Sequence, residues 1–408
     1  MDGDKERHAP DDNNQCFISP KYPGKPCAAY LGNDIPEMRL WTHGLASAVI
    51  DKCQHVISKA HRIRSRQSNS LIRLGLKLLR QAPYAVWKTD KDGGFAIMPH
   101  SHAAHVQRQI LQSSDYREVN PHEASWEQVQ PGLNGVVKHI TKVDNRVTKS
   151  ELTASVFPGS NYISTLTCTV KTHKAQGAIT CRAIHSTQHF RFSAVAKWVR
   201  AVLKEGMAPY RHIIHDTAQL IDRIKGLKVP DDTFFLKGDV RDFYMTGDVD
   251  EIAEAAMHFT PPPLRAAMKH AVQFLVSTQY IRIKGQPNIW QTRFGSGMGL
   301  MHSGELADAT LLYREPKSFQ WHEQYGVWLY LRYKDDILIF ITRLSGTNIP
   351  LYWRRFLGNA LPFRVQHDSI NNMSFIMLDL HFSVAANGML ANNLTMLHTS
   401  NQHHFPKL

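Results

Sequence analysis

Apolar and polar positions follow two different periods along this chain, and the switches between them outline its organisation. Across residues 85–190, short apolar runs alternate with turns, as in FAIM at 95–98 and YISTLTCTV at 162–170, and predict strands with a few helices between them. From Ser193 to Lys204 the run SAVAKWVRAVLK combines good helix formers with an amphipathic spacing. TFFLKGDV predicts a strand ending at Asp239, and DEIAEAAMHF predicts a helix stopped by Pro261, Pro262 and Pro263. LRAAMKHAVQFLV and ELADATLLY predict two further helices on either side of the glycine-rich RFGSGMG. In VWLYLRYKDDILIFIT two β-rich runs flank a charged turn, the pattern of a β-hairpin, and FIMLDLHFSV predicts a last strand or hairpin. Strands that pair around intervening helices belong to the α+β class.

The flanks read differently. Residues 1–40 carry Pro10, Pro20, Pro23, Pro26 and Pro36 among polar residues, the composition of an irregular leader. A basic helical extension is expected over 41–84, with its helix at 44–80. From His61 to Arg80 it holds six arginines and lysines and no acid, with Leu71, Leu74 and Leu78 on an apolar face. Three uses fit that face and stay open: covering the core, lying on nucleic-acid phosphates, or lying on a membrane. Residues 386–408 are expected to be a short tail.

Composition narrows the partners. The 408 residues carry a net charge of +13 and 43% hydrophobic residues, enough for a sizeable core and for affinity to a polyanion, either nucleic acid or an anionic membrane. No apolar stretch approaches the roughly 20 residues that span a bilayer, and the polar, acidic start is not a secretory signal. Five cysteines without a C-x-x-C pair point to a reducing compartment. His100, His102 and His105 read as a solvated, incidental cluster, because no acidic or cysteine partner lies at ligand spacing.

Candidate chemistry lies in the acids. Nucleotidyl transfer needs two hard divalent cations, which prefer carboxylate oxygens brought together from separate strands. Asp335 and Asp336 sit in the turn of an apolar hairpin, Asp239 ends a strand about a hundred residues earlier, and a glycine-rich turn lies between. Each feature alone is compatible with an ordinary turn. Together they form an ordered constellation.

At these residues the chain resembles a reverse transcriptase, and is most similar to the Penelope-like retroelement enzymes, relatives of telomerase reverse transcriptase. TDKDGGFAIMP at 89–99 is similar to the fingers motif A-D-K-G, and TVKTHKAQGAITCRAIHST at 169–187 to the P-K-x-H-K-P…R-P-I block. KGDVRDFYMTG resembles motif A, QTRFGSGMGLMHSGELAD motif B and RYKDD motif C, while LPFRVQHD and FIMLDLHF resemble the segments that follow. The match covers about 85–385. It implies a right-hand polymerase fold with fingers at 85–230, a palm at 231–385, and a short or absent thumb.

By the same resemblance, Asp239, Asp335 and Asp336 would be the catalytic, metal-holding acids for two Mg²⁺ ions, with Mn²⁺ as the alternative. Arg182 would hold the triphosphate with help from Lys171 and Lys174. Tyr244 would stand where an aromatic blocks a 2′-hydroxyl, Met298 and Gly299 would lie against the nascent base pair, and Asp379 would stand near the primer grip. The implied activity is RNA-directed DNA polymerisation with an RNA template, a DNA or RNA primer and dNTPs, a partner chain supplying thumb function or an endonuclease, and a nuclear or cytoplasmic location. An RNA-dependent RNA polymerase and an inactive RNA-binding relative are the alternatives. The chain departs from the family pattern at Phe243, at Met245-Thr246-Gly247, at Leu300-Met301-His302, and at Lys334 inside the motif C turn. Lys334 either pairs with Asp336 or repels metal.

Overall fold

The computed structural model describes residues 84–393, apart from short stretches at 91–93, 172–179, 316–318, 320–321, 343–347, 349–350, 356–362, 372, 379 and 386, together with strands Cys16–Ser19 and Ala29–Leu31. The helix expected over 44–80, Lys174 and Asp379 lie outside the described residues. The chain divides into two units. One comprises Met1–Ser113, Thr165–Ser186 and Arg282–Pro287; the other Ser114–Ser164, Thr187–Ile281 and Asn288–Leu408. Residues 85–230 therefore contribute to both.

In the first unit an antiparallel sheet runs in the order Ala29–Leu31, Cys16–Ser19, Phe95–Pro99, Tyr84–Lys88. Its alternation is clear at Phe95–Pro99, where Ala96 and Met98 are buried and Phe95 is exposed. Helix His100–Leu111 follows directly. It buries His102, against the expectation of a solvated cluster, and burial, followed by the nearby His105, lowers the His102 pKa. Thr165–Val170 pairs antiparallel with Cys181–Ser186.

Helices build one side of the second unit. Helix α1 (Trp126–Val143) buries Val129, Leu133, Val136, Val137 and Ile140, a stripe of helical period, and keeps Pro131 on its exposed side. Helix α2 (Ser193–Met207) buries Val195, Ala196, Val199, Val202 and Leu203, and helix α3 (Thr217–Ile224) is capped by Asp216. After strand β1 (Thr233–Arg241) comes helix α4 (Val249–His258), capped by Asp248 and followed by a 3₁₀ turn at Pro262–Leu264, as the prolines require. Helices α5 (Arg265–Ser277) and α6 (Ser303–Arg314) complete a core shared with α1, α2 and α4.

Beside this core lies a four-stranded antiparallel sheet. Its strands β2 (Val327–Tyr333), β3 (Asp336–Thr342) and β4 (Arg364–Asn371) join β1 in the order β2-β3-β1-β4. Apolar residues cover both faces of β1, β2 and β3, so these three strands read as largely apolar runs, whereas the edge strand β4 (RVQHDSIN) is polar. On one face Leu236, Val240, Ile337 and Ile339 meet Ala307 and Leu311 of α6. On the other, Phe235, Leu338 and Phe340 meet α3 and a smaller antiparallel sheet of β5 (Ser374–Met377), β6 (Leu380–Val384) and β7 (Leu390–Asn393). Burying each such side chain contributes roughly 1.5–3 kcal/mol. β1, central and covered on both sides, is thus a rigid mount for whatever it carries at its end. Among the described residues no helix is long and apolar enough to cross a membrane.

Candidate active site

Strand pairing brings two of the sequence-predicted acids face to face. In the β1–β3 ladder Asp239 stands opposite Asp336. The Val240 amide donates to the Asp335 carbonyl at 2.8 Å, which makes Asp239 and Asp336 a non-hydrogen-bonded pair. Such pairs have Cα atoms about 4.5 Å apart and side chains on the same face. That face is the one of Phe235 and Leu338, so the acids continue the surface on which the small sheet packs. Both are half-buried, as is Asp335 beside them in the turn. β1 runs two residues past its expected end at Asp239, because β4 pairs with it as far as Arg241. Gln366 of β4 thereby flanks Asp239 on the other side and accepts a 2.7 Å bond from Arg241 Nε.

Of the two nearby lysines, Lys237 rather than Lys334 lies beside Asp336. Lys237 lies two residues before Asp239 on the same face, and its Nζ is 3.8 Å from Asp336 Oδ1. Lys334 takes a left-handed φ of 53° at the first position of the two-residue turn, a place where glycine is usual. Its ammonium turns to Asp308 on α6.

Asp308 belongs to a buried network that the sequence did not announce. Arg332, fully buried, places Nη1 2.7 Å from Asp308 Oδ1 and Nε 2.6 Å from Glu315 Oε1. Glu315 also accepts from the Tyr330 hydroxyl at 2.7 Å and lies 3.0 Å from His212 Nε2. Burial pushes the Glu315 pKa up, but Arg332, His212 and Tyr330 outweigh it and hold the carboxyl at about 2. Burial, and then Glu315, raises the Tyr330 pKa well above its ordinary value. A sequence signal did exist: an arginine inside VWLYLRY and an acid inside ELADATLLY are buried charges that demand partners.

The glycine-rich segment packs against the loop that follows β1. Gly295 has φ +68°, its amide donates to the Gly247 carbonyl, and a Cβ at 295 would lie 2.2 Å from the Tyr244 carbonyl oxygen. Here glycine serves close approach between two loops of the protein itself. Ser296 N donates to that Tyr244 carbonyl at 2.6 Å. Tyr244 is half-buried, its ring edge-on to Phe243 at 5.1 Å. Met298 is half-buried and Gly299 exposed, with φ +99°. The adjoining His302 is buried, neither ring nitrogen has a hydrogen-bond partner among the described residues, and burial lowers its pKa to about 4.

In the first unit Arg182 pairs with Asp90 at 3.0 Å, while the Lys171 amide donates to the Thr180 carbonyl at 2.8 Å. Asp90 is nearly buried and Arg182 is partly exposed, so the guanidinium is the accessible half of the pair.

Among the described residues no three histidine, cysteine, aspartate or glutamate side chains form a cluster that could enclose a metal. The donors at the acid pair are all carboxylate oxygens, which suit Mg²⁺. That ion is commonly held by one or two carboxylates and by substrate phosphates rather than by an all-protein cage. The facing pair with Asp335 at its edge fits such an open site.

No protein-family model matches the sequence, and no curated protein matches it. Among solved structures the chain is similar to the telomerase of Candida tropicalis in complex with a TWJ fragment of telomeric RNA, with a TM-score of 0.50 and 12% identity over 85% of this chain and 58% of that one. The telomerase of Candida albicans, also in complex with a TWJ fragment of telomeric RNA, gives 0.49 and 11% over 82% and 59%. The chain spans a little over half the length of these proteins. At such identity the likeness is one of fold: the mixed α/β architecture of this chain resembles that of telomerase.

Proposed function

We propose that this chain is an RNA-directed DNA polymerase that adds dNTPs to a primer 3′-hydroxyl on an RNA template, with its palm at 231–385 and its fingers within 85–230. The observation that carries this reading is the pairing of Asp239 with Asp336 across β1 and β3, with Asp335 in the adjoining turn. Motif order gives the finer assignment, to enzymes similar to those of Penelope-like retroelements. Asp239, Asp335 and Asp336 would hold Mg²⁺, which when bound supplies activation of the primer hydroxyl and charge neutralisation at the pyrophosphate. The acids orient the primer terminus from a strand that packing holds still. Arg182, with Lys171 and Lys174, neutralises the triphosphate, exchanging Asp90 for phosphate oxygens. Tyr244 presses on the sugar, and Met298 and Gly299 border the nascent base pair.

Primer extension on poly(rA)/oligo(dT) tests the reading. The unmodified chain should incorporate dTTP. Asp239→Asn and Asp335→Asn should each abolish incorporation while duplex binding stays measurable. Tyr244→Ala should relax the preference for dTTP over the ribonucleotide. Wild-type rates in either Asp variant would reject the proposal, and equal use of ribonucleotides by the unmodified chain would favour an RNA polymerase.

A further inference from the structure

We propose that Asp308 is a positioning residue that holds the Lys334 ammonium on the far face of the sheet, and thereby sets the divalent-cation affinity of the Asp239–Asp336 pair. The inference rests on the reading of that pair as a cation site. Lys334 immediately precedes Asp335 in a two-residue turn. A free ammonium there would lie beside the carboxylates, occupying their charge and repelling a second cation. The structure instead sends it to Asp308.

Three features make this a built arrangement. Asp308 is buried on α6 and shared with Arg332, which fixes the carboxylate. Gly304 precedes Asp308 by one helical turn, and a Cβ there would come within 3.1 Å of Lys334 Nζ, so the missing side chain leaves the lane that Lys334 follows. The charges also cancel, Arg332 and Lys334 against Asp308 and Glu315. Arg332 pairs across the ladder with Ile337, on the α6 face, while Asp336 points to the opposite face. Lys334 is thus turned away from Asp239 and Asp336, and Lys237 alone of the two lysines approaches Asp336.

A role confined to stability predicts that the folded Asp308 variant binds Mn²⁺ as tightly as the unmodified chain, whatever stands at 334. Charge steering predicts weaker binding, relieved when the Lys334 charge is also removed. The test is Mn²⁺ titration of the full chain, free of substrate, by electron paramagnetic resonance at fixed pH and salt, scoring the binding that Asp239→Asn removes. Asp308→Asn should weaken that component roughly tenfold, and adding Lys334→Gln to it should restore most of the loss. Should Asp308→Asn fail to fold, Gly304→Leu keeps the Asp308–Arg332 pair and obstructs the lane. It should weaken Mn²⁺ binding in the same sense, again with relief by Lys334→Gln. Unchanged affinity in these variants, or no relief from the second substitution, overturns the inference and leaves the polymerase reading standing. Absence of any component sensitive to Asp239→Asn overturns both.

Discussion

At the scale of single residues, two positions test the packing around the acids. Gly295 combines a left-handed φ with a backbone neighbour that cannot retreat. Gly295→Ala should therefore lower stability by about 2 kcal/mol or more, measurable as a fall in Tm, and an unchanged Tm would refute the close approach. His302 poses the opposite case, a buried imidazole with two nitrogens unpartnered among the described residues. Its folded pKa of about 4 lies below the unfolded value of 6.5, so the neutral ring is compatible with the fold above pH 6.5, and stability is lost as pH falls from there toward 4. The size is roughly 3 kcal/mol over that window. His302→Leu should raise stability most at pH 4–5, and equal urea midpoints for the two proteins at pH 5 would contradict it. Sequence alone singled out His302 as a departure from the family pattern, but burial, which gives it this behaviour, comes from chain segments far away.

At the scale of elements, the β2–β3 hairpin is joined to α6 through Arg332, Asp308 and Glu315. Replacing Glu315 by Gln leaves Arg332 short of a buried anion, which should cost about 3–5 kcal/mol at pH 7. The depressed Glu315 pKa contributes stability that is complete above its unfolded value of 4.5 and is lost as pH falls toward about 2. The gap between wild type and Glu315→Gln in chemical denaturation should therefore narrow over that window, and a gap that widens would show the sign to be wrong. The hairpin itself was readable because two β-rich runs flanked three charges, and α2, α4, α5 and α6 were readable from spacing and from the proline stop. α1 was not identified as such, because Pro131, Gly132 and Gly135 weaken its local helical signal while its apolar stripe holds it against the helical core. The network was only half legible: charges inside the apolar runs VWLYLRY and ELADATLLY demand partners, but which of Arg332, Asp308 and Glu315 meet is fixed only when the fold brings them together.

At the scale of the whole molecule, an excess of 13 positive charges should govern association with nucleic acid. A chain contacting about six phosphates would lose roughly a thousandfold in affinity for an RNA–DNA duplex between 50 and 200 mM salt. Fluorescence anisotropy with Asp335→Asn separates this binding from turnover, and affinity indifferent to salt would reject a phosphate-led interface. The placement of the acids also carries a consequence for how this chain tolerates length changes. Side chains along a strand obey a parity of two, so one residue inserted into β3 before its pairing with β1 is fixed would send Asp336 to the α6 side, while two would keep the side and carry it about 6–7 Å along the ladder. Odd and even insertions in this hairpin should therefore differ in kind, the first inverting the acid pair and the second stretching it.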